Sequence, residues 1–418
     1  MSRFRCIGGD CESSCCTGGW RIGVDREHYE KTKHAMGSSP ELRREFGAKV
    51  TRVKGVTDAK QPYALIVLQQ DGSCGFFGED RMCGLQKRYG EGVLSDTCTI
   101  YPRTNLMSGA RHELAGVTSC PEVARQLLLH PDAMELDEVS PALFTRSQIH
   151  AKLGEHPADP YTRYHDELRN VVFDLLSDSA YPLSSRLSFV AYFANRTREF
   201  LYRGVAQLDE ARLMEEIERI LNPAVRAELH AQFAELPVDA AFASSLVLAL
   251  VSVSNRTAHF RELLDAVIVR HSEASDVVLE PGATVSLLVA QILPVYDAQK
   301  RAWEKFAPRI DSYLMNYAKN YWAREWYFNS PDLLMHTVQL LLRMATVRFL
   351  LFGHPLMVSA VELGDPEREL ALSKAVVQTV QKFSRAFEHD SSFTRGLQDR
   401  LSASNVISLA HAACLASF

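Results

Sequence analysis

The stretch Cys6-Ile-Gly-Gly-Asp-Cys11-Glu-Ser-Ser-Cys15-Cys16 brings four thiols together at the start of the chain. Four more follow at Cys74, Cys83, Cys98 and Cys120, and only Cys414 lies elsewhere. A chain that puts eight of its nine cysteines in the first 120 residues is building something from sulfur there. Disulfides, zinc and an iron–sulfur centre are the possibilities. Sixteen of the 22 glycines also precede residue 121. Such a glycine-rich region can wrap a metal closely and aim N–H groups at sulfur.

The bulk properties narrow the choice. A length of 418 residues gives room for two or three domains, and a formal charge of -5 gives no general attraction for nucleic acid or anionic membrane. Met-Ser-Arg-Phe-Arg-Cys lacks an apolar segment of the secretory kind. The longest uncharged runs, Ala240 to Asn255 and Pro281 to Tyr296, fall short of the roughly 20 apolar residues of a membrane span. The expectation is a soluble cytoplasmic protein without nucleic-acid or membrane partners, its oligomeric state unread. In a reducing compartment clustered cysteines more often hold metal than form disulfides.

Local patterns place the cysteines on a small scaffold. Trp20-Arg-Ile22-Gly-Val24 alternates, and Asp25 is an N-cap for a helix over roughly Arg26 to Ala35. Tyr63-Ala-Leu-Ile-Val-Leu68 reads as a strand that Asp71-Gly72 turns back toward Cys74-Gly-Phe-Phe77, a β-hairpin with a thiol on its return arm. Pro121 opens a helix running to Leu129. From about Tyr161 the apolar residues recur at helical spacing, as in Leu168, Val171, Val172, Leu175 and Leu176. Asn222-Pro223 and Ser330-Pro331-Asp332 read as helix starts, and Pro281-Gly282 as a break between bundles. The fold expected is mainly α: a cysteine-rich metal-cluster module with a small β-hairpin over residues 1–135, packed on a helical domain of nine or ten helices over 136–418.

The spacing is C-x4-C-x3-C-C, then C-x8-C, C-x14-C and C-x21-C. It lacks the paired C-x2-C knuckles of zinc ribbons. Adjacent Cys15 and Cys16 seldom both reach one small ion, so they serve two centres, or one ligates while the other packs. Isolated cysteines are often plain buried hydrophobes, but eight in this arrangement point to metal. Thiolates suit zinc and iron–sulfur alike.

The ordered set Cys6, Cys11, Cys15-Cys16-Thr-Gly-Gly-Trp20-Arg-Ile22, Cys74-Gly-Phe-Phe, Cys83, Leu94-Ser-Asp-Thr-Cys98-Thr-Ile-Tyr101-Pro102-Arg103 and Ser119-Cys120-Pro121-Glu122 resembles the flagellin lysine-N-methylases. Tyr313-Leu-Met-Asn316-Tyr317 and the segment around Leu342, Arg343 and Arg348-Phe349 are similar to the C-terminal part of that family. The resemblance implies methylation of lysine side chains on flagellin, or on another amine-bearing substrate, with S-adenosylmethionine as donor. It also implies a [4Fe-4S] cluster held by the eight clustered cysteines. No strand–G-x-G-x-G–helix unit is present, so an ordinary Rossmann methyltransferase is not expected. A tailoring enzyme for a small molecule or peptide using the same cluster, or a metal-stapled interaction protein, are the alternatives.

Other residues complete the expected site. Tyr101 and Arg103 follow a cysteine closely, and Arg103 could pair with a cofactor carboxylate. Tyr313, Tyr317 and Tyr321 share one helix face with Asn316 beside them, suited to a sulfonium or a lysine stem, or simply to a helix core. Amine methylation needs a neutral nitrogen, and a free lysine with a pKa near about 10.4 is protonated at neutral pH. A proton relay is therefore required, and Tyr313 or Tyr317 suits it; Tyr101, Arg103 and Asn316 are the expected cofactor contacts. His336, His354 and His389 read as structural.

Overall fold

A computed structural model describes residues 2–55, 61–138, 150–154, 158–252, 257–273, 285–389, 391–403 and 407–418. The expected break at Pro281-Gly282 lies outside these residues. The chain forms two compact units: Met1–Met107, Arg111–Val123 and Leu136–Lys152 in one, and Ser108–Ala110, Ala124–Glu135 and Leu153–Phe418 in the other.

The cysteine-bearing unit is built on short elements. In order these are β1 (Gly23–Val24), α1 (Arg26–Ala35), α2 (Pro40–Lys49), β2 (Val50–Arg52), β3 (Ala64–Ile66), α3 (Gly84–Tyr89), α4 (Asp96–Ile100), β4 (Arg103–Ser108), β5 (Arg111–Gly116), the first turn of α5 (Pro121–Leu129), which belongs to the other unit from Ala124 onward, and β6 (Ala151–Leu153). Asp25 caps α1 as expected, accepting from the His28 N–H at 2.9 Å. The strand expected from Tyr63 is β3, the centre of an antiparallel sheet in the order β1-β3-β2.

The hairpin expected beyond it is present and short: Gly72, at a φ of 81°, makes the turn, Leu68 and Cys74 pair antiparallel, and the Gly75 N–H donates to the Val67 carbonyl at 3.0 Å. β3 itself spends both edges on β1 and β2, so the return arm pairs only beyond its end. Gly75 is required where it stands, since a Cβ there would lie 2.6 Å from the Val67 carbonyl oxygen. A longer hairpin, β4 with β5, follows Cys98 and was not read from the sequence; it lies in a second sheet of order β5-β4-β6.

Apart from its share of α5, the other unit contains thirteen helices among the described residues, more than the nine or ten expected. They are α6 (His165–Ser177), α7 (Leu183–Thr197), α8 (Glu210–Leu221), α9 (Pro223–Glu235), α10 (Ala240–Val251), α11 (Ala258–Glu273), α12 (Val285–Ala302), α13 (Ala307–Arg324), α14 (Leu333–Phe352), α15 (Pro355–Ser359), α16 (Asp365–Phe387), α17 (Ser391–Ala403) and α18 (Leu409–Ser417). Asn222 caps α9 ahead of Pro223, as expected. Asp332 caps α14, placing that start after the expected Pro331 rather than at it.

Every residue of α14 is buried, and α7, α10, α16 and α18 pack around it. By length and hydropathy α14 alone among single described helices could cross a membrane, yet here it is the core of the unit and carries Arg343 and Arg348. An all-round apolar helix inside a bundle is a core helix. Its arginines are satisfied partly by main chain: Arg343 donates to the Gln339 carbonyl at 3.1 Å, and Arg348 to that of Ala416 at 2.8 Å.

Candidate metal centre

All eight clustered thiols lie in one unit, on loops and element ends. Cys15 and Cys16 occupy a single 3-10 turn, Cys83 precedes α3, Cys98 sits within α4, and Cys120 precedes Pro121 at the start of α5. Cys74 is buried; Cys11, Cys16, Cys83 and Cys120 are half-buried; Cys6, Cys15 and Cys98 are exposed. The thiols are close enough to repel one another as thiolates. Cys11 faces Cys15 and Cys6, Cys120 faces Cys11 and Cys15, and Cys98 faces Cys74, Cys83 and Cys15.

Hydrogen-bond donors converge on the sulfurs. The Ser13 N–H donates to Cys11, the Phe76 N–H to Cys74, and the Glu122 and Val123 N–H groups of the first turn of α5 to Cys120. Ser95 precedes α4 without capping it, and its buried hydroxyl lies beside the sulfur of Cys98 without a formed hydrogen bond. Burial outweighs these donors and pushes the Cys98 and Cys120 thiols up to about 12. Cys98 shows surface to solvent, but its sulfur is crowded enough for desolvation to dominate. Left alone these groups would stay protonated. A coordinated metal reverses that balance and deprotonates a thiol outright.

Donors aimed at sulfur serve thiolates, not inert thiols, so the donor set fits a thiolate-bound metal. The spacing also bears on size. Among the described residues, the one trio of His, Cys, Asp or Glu ligand atoms mutually within 4.8 Å is Asp25, His28 and Asp96. No three sulfurs therefore stand as close together as the roughly 4 Å edge of a tetrahedral site with Zn–S bonds of about 2.3 Å would place them. The trio itself is accounted for by local bonding, since Asp25 caps α1 and meets His28 Nδ1 at 2.7 Å.

Arg81 fastens two thiol-bearing loops. It has a φ of 60°, the left-handed region, where no other described non-glycine residue lies. Its guanidinium donates to the Cys11 carbonyl at 2.5 Å. Such a backbone costs about 1 kcal/mol or more in a non-glycine residue. Arg81→Gly should therefore relieve strain, and a plain turn residue would tolerate it. We expect instead that it speeds metal loss to a chelator several-fold, while Arg81→Lys is intermediate. Unchanged metal release in Arg81→Gly would refute the clasp.

The other expected site residues are dispersed. Tyr101 Oη lies 3.0 Å from Ser119 Oγ, with its ring edge-on to Trp20 at 5.6 Å. The Arg103 guanidinium rests over Phe4 and has no ion-pair partner among the described residues. Asn316 is fully buried on α13; its amide donates to the carbonyls of Leu127 at 3.0 Å and His130 at 2.8 Å, leaving Oδ1 unpartnered. It staples α13 to the C-terminal end of α5. Tyr313 Oη lies 3.3 Å from Ser373 Oγ, and Tyr317 donates to Glu388 at 2.7 Å. Burial raises the Tyr317 phenol well above its ordinary range. Within their units, the eight thiols are brought together, whereas Tyr313, Asn316 and Tyr317, within little more than one turn of α13, bond to different neighbours.

Comparison with known proteins identifies the helical part. Residues 169–415 match the family described as FliB lysine N-methylase C-terminal domain. The chain belongs to this FliB family. It is 32% identical over 144 residues to a lysine-N-methylase of Salmonella typhimurium, covering 33% of each chain. It is 31% identical over 144 residues to the flagellar biosynthetic protein FliU of Salmonella muenchen, covering 33% of this chain and 79% of that one. The match thus spans a third of the length of the lysine-N-methylase. No solved structure matches.

The region matched by the FliB family model begins after the last clustered cysteine and contains a polar centre that the sequence did not reveal. Glu388, its side chain 1% exposed, accepts from Tyr317 and from Arg324 at 2.7 Å each, and from Ser384. Burial alone would raise its carboxyl, but Arg324, Ser384, Arg343 and Tyr317 together hold it below the usual range. Arg343 lies over the Tyr321 ring at 5.2 Å. The residues come from α13, α14 and the end of α16, too far apart in sequence for any spacing to flag them.

Proposed function

We propose that this FliB-family chain is an S-adenosylmethionine-dependent N-methyltransferase acting on lysine side chains, with flagellin or a similar protein as substrate. Membership in the lysine N-methylase family carries the reading. The thiol-rich unit is read as the holder of an iron–sulfur cluster, with Cys6, Cys11, Cys15, Cys16, Cys74, Cys83, Cys98 and Cys120 as its ligands. Amide donors at the sulfurs, and no three sulfurs as close together as a zinc site would place them, support that assignment. S-adenosylmethionine would supply the methyl group as an electrophilic sulfonium.

The chain's own residues have three tasks. The first is to hold the donor's carboxylate, for which Arg103 offers a guanidinium without a carboxylate partner among the described residues, and Tyr101 lies two residues before it. Asn316, whose amide hydrogens are both engaged, offers only an acceptor, its free Oδ1, and so suits the donor's ammonium rather than its carboxylate. The second is to hold the amine and the methyl group in line within roughly 3–3.5 Å. The third is to take the ammonium proton. Tyr317 supports a relay, since a proton accepted at its oxygen can be matched by release of its own to Glu388. Tyr313, bonded to Ser373, is the second phenol on that face.

Anaerobically prepared protein incubated with labelled S-adenosylmethionine and flagellin should transfer label to lysine. Cofactor binding without transfer would assign the activity to another amine, such as a small molecule or peptide. Failure of metal-replete protein to bind the cofactor would overturn the methyltransferase reading.

A further inference from the structure

We propose that the cysteine-bearing unit carries a docking surface for an acidic polypeptide segment, made of an aromatic ridge, the cations Arg26, Lys33, Arg43 and Arg52, and a groove between α1 and α2. The inference depends neither on the reading of the thiols as metal ligands nor on methyl transfer.

The ridge begins at Tyr29 on α1. Its ring meets those of Tyr63, the residue before β3, and Phe46, on α2, edge to face with centroids 5.2 Å away in each case. Cations lie over it. The Arg52 guanidinium, on β2, stands 4.2 Å from the centre of the Tyr63 ring and that of Arg26 5.9 Å from it. The Lys33 ammonium stands 5.9 Å from the centre of the Tyr29 ring. Lys33 and Phe46 also line a groove of about 660 Å³, together with Glu30, His34 and Arg43. Arg26, Lys33, His34, Arg43 and Arg52 are all exposed, while Phe46 is buried and gives the groove an apolar wall.

The charges on this face do not cancel. Glu30, 4.0 Å from Lys33, is the one acid among the residues lining the groove. The other acids of α1 and α2 are engaged elsewhere: Glu27 with Lys31, Glu41 with Arg44, and Glu45 with Lys49 and Arg88. Arg43 spends one N–H on the Gly37 carbonyl, and among the described residues neither Arg26 nor Arg52 has an ion-pair partner. Lys33 and His34, in the last turn of α1, complement its dipole, but Arg26, in the first turn, stands where the dipole favours an acid. Arg26 and Arg52 thus serve neither an ion pair nor a helix end. A guanidinium stacked on a ring keeps its in-plane N–H edge free, and that fork matches a carboxylate. Carboxylates along a bound segment would pair with these cations, and an apolar side chain between them would lodge beside Phe46. Nucleic acid suits the face less well. Strands bind by stacking bases on open ring faces, whereas these rings meet edge-on and lie under cations. The formal charge of -5 makes the strip a local feature and not part of a generally basic surface.

The test is the fluorescence anisotropy of a labelled peptide alternating glutamate and leucine, titrated with full-length protein whose folding is checked by circular dichroism. The peptide should bind, and more weakly as salt is raised. Glutamine in place of its glutamates should remove most of the affinity. Arg43→Gln with Arg52→Gln should weaken binding roughly tenfold, since two charge-assisted contacts go at once. Lys31→Gln with Arg44→Gln takes the same charge from α1 and α2 outside the strip, and should change binding less than about twofold. Glu30→Gln, which removes the competing acid, should tighten it. Equal weakening by the two double variants would assign the binding to the general field of the protein and overturn the surface. Equal binding of the glutamine peptide would overturn recognition by charge. Tighter binding of a labelled single-stranded oligonucleotide would overturn the polypeptide reading in favour of nucleic acid, and failure of the glutamate peptide to bind would overturn the proposal outright.

Discussion

Replacing Glu388 by glutamine is expected to destabilise the helical unit by about 3–5 kcal/mol, the usual cost of removing one partner from a buried ion pair. The carboxylate is almost wholly enclosed and Arg324, its partner, is 4% exposed at the side chain. Glutamine keeps the shape and some hydrogen bonding but removes the charge. Arg324 would then retain only Glu325, at 2.8 Å and 32% exposed, where solvent weakens the attraction. Arg343, equally buried, would lose its nearest compensating charge as well. Urea unfolding followed by far-ultraviolet circular dichroism checks this. The double variant Glu388→Gln with Arg324→Met should be less destabilised than the two single effects added together, because it leaves no orphaned charge at the pair. A loss below about 1 kcal/mol in Glu388→Gln would mean that solvent reaches the site and that the pair does not hold α13 to α16.

That centre shows where sequence reading stops. Helical periodicity was plain in Leu168, Val171, Val172, Leu175 and Leu176, all of which are buried on α6. Caps were plain at Asp25 and Asn222 because a short polar side chain before a helix leaves a local signature. Turn chemistry revealed Gly72 and the hairpin it turns but not how short that hairpin is, since strand pairing depends on which edges are already taken. The thiols were legible as a group through their crowding in sequence. Their partners were not. Arg81 acts through a left-handed backbone and Ser95 stands before α4 without capping it, while in the helical unit Glu388 acts through arginines some 45 to 64 residues away. None of these leaves a periodic or spaced pattern. The tyrosine face of α13 was legible as a face, but the sequence did not tell that Asn316 on it is stapled to Leu127 and His130.

Lowering the pH from about 6.5 toward 4 should sharply weaken the helical unit, through histidines that the fold keeps neutral. His336 is 1% exposed, packed against Tyr321 and Trp322 with ring centroids at 4.8 and 4.6 Å, and its Nε2 has no partner. Burial, aided by Arg343, lowers its pKa from 6.5 to about 3. His354 is lowered to about 4, first by burial and then by Lys382. Its Nδ1 accepts the Leu356 N–H at 3.1 Å to cap α15, a bond that a protonated ring cannot make. Both folded pKa values lie below the unfolded one, so between them the unfolded chain binds more protons. Stability is thus full above about pH 6.5 and falls as the pH drops toward the folded values. Each pKa unit is worth about 1.4 kcal/mol, so the His336 shift corresponds to roughly 5 kcal/mol once it is complete. Urea midpoints measured from pH 7.5 to pH 4 should fall steadily in the wild type. His354→Asn retains a capping side chain without a titrating ring, so it should match the wild type at pH 7.5 and lose less on acidification. His336→Phe should flatten the slope further. A wild-type midpoint that stays constant between pH 6.5 and 4 would show that neither ring is held neutral by the fold.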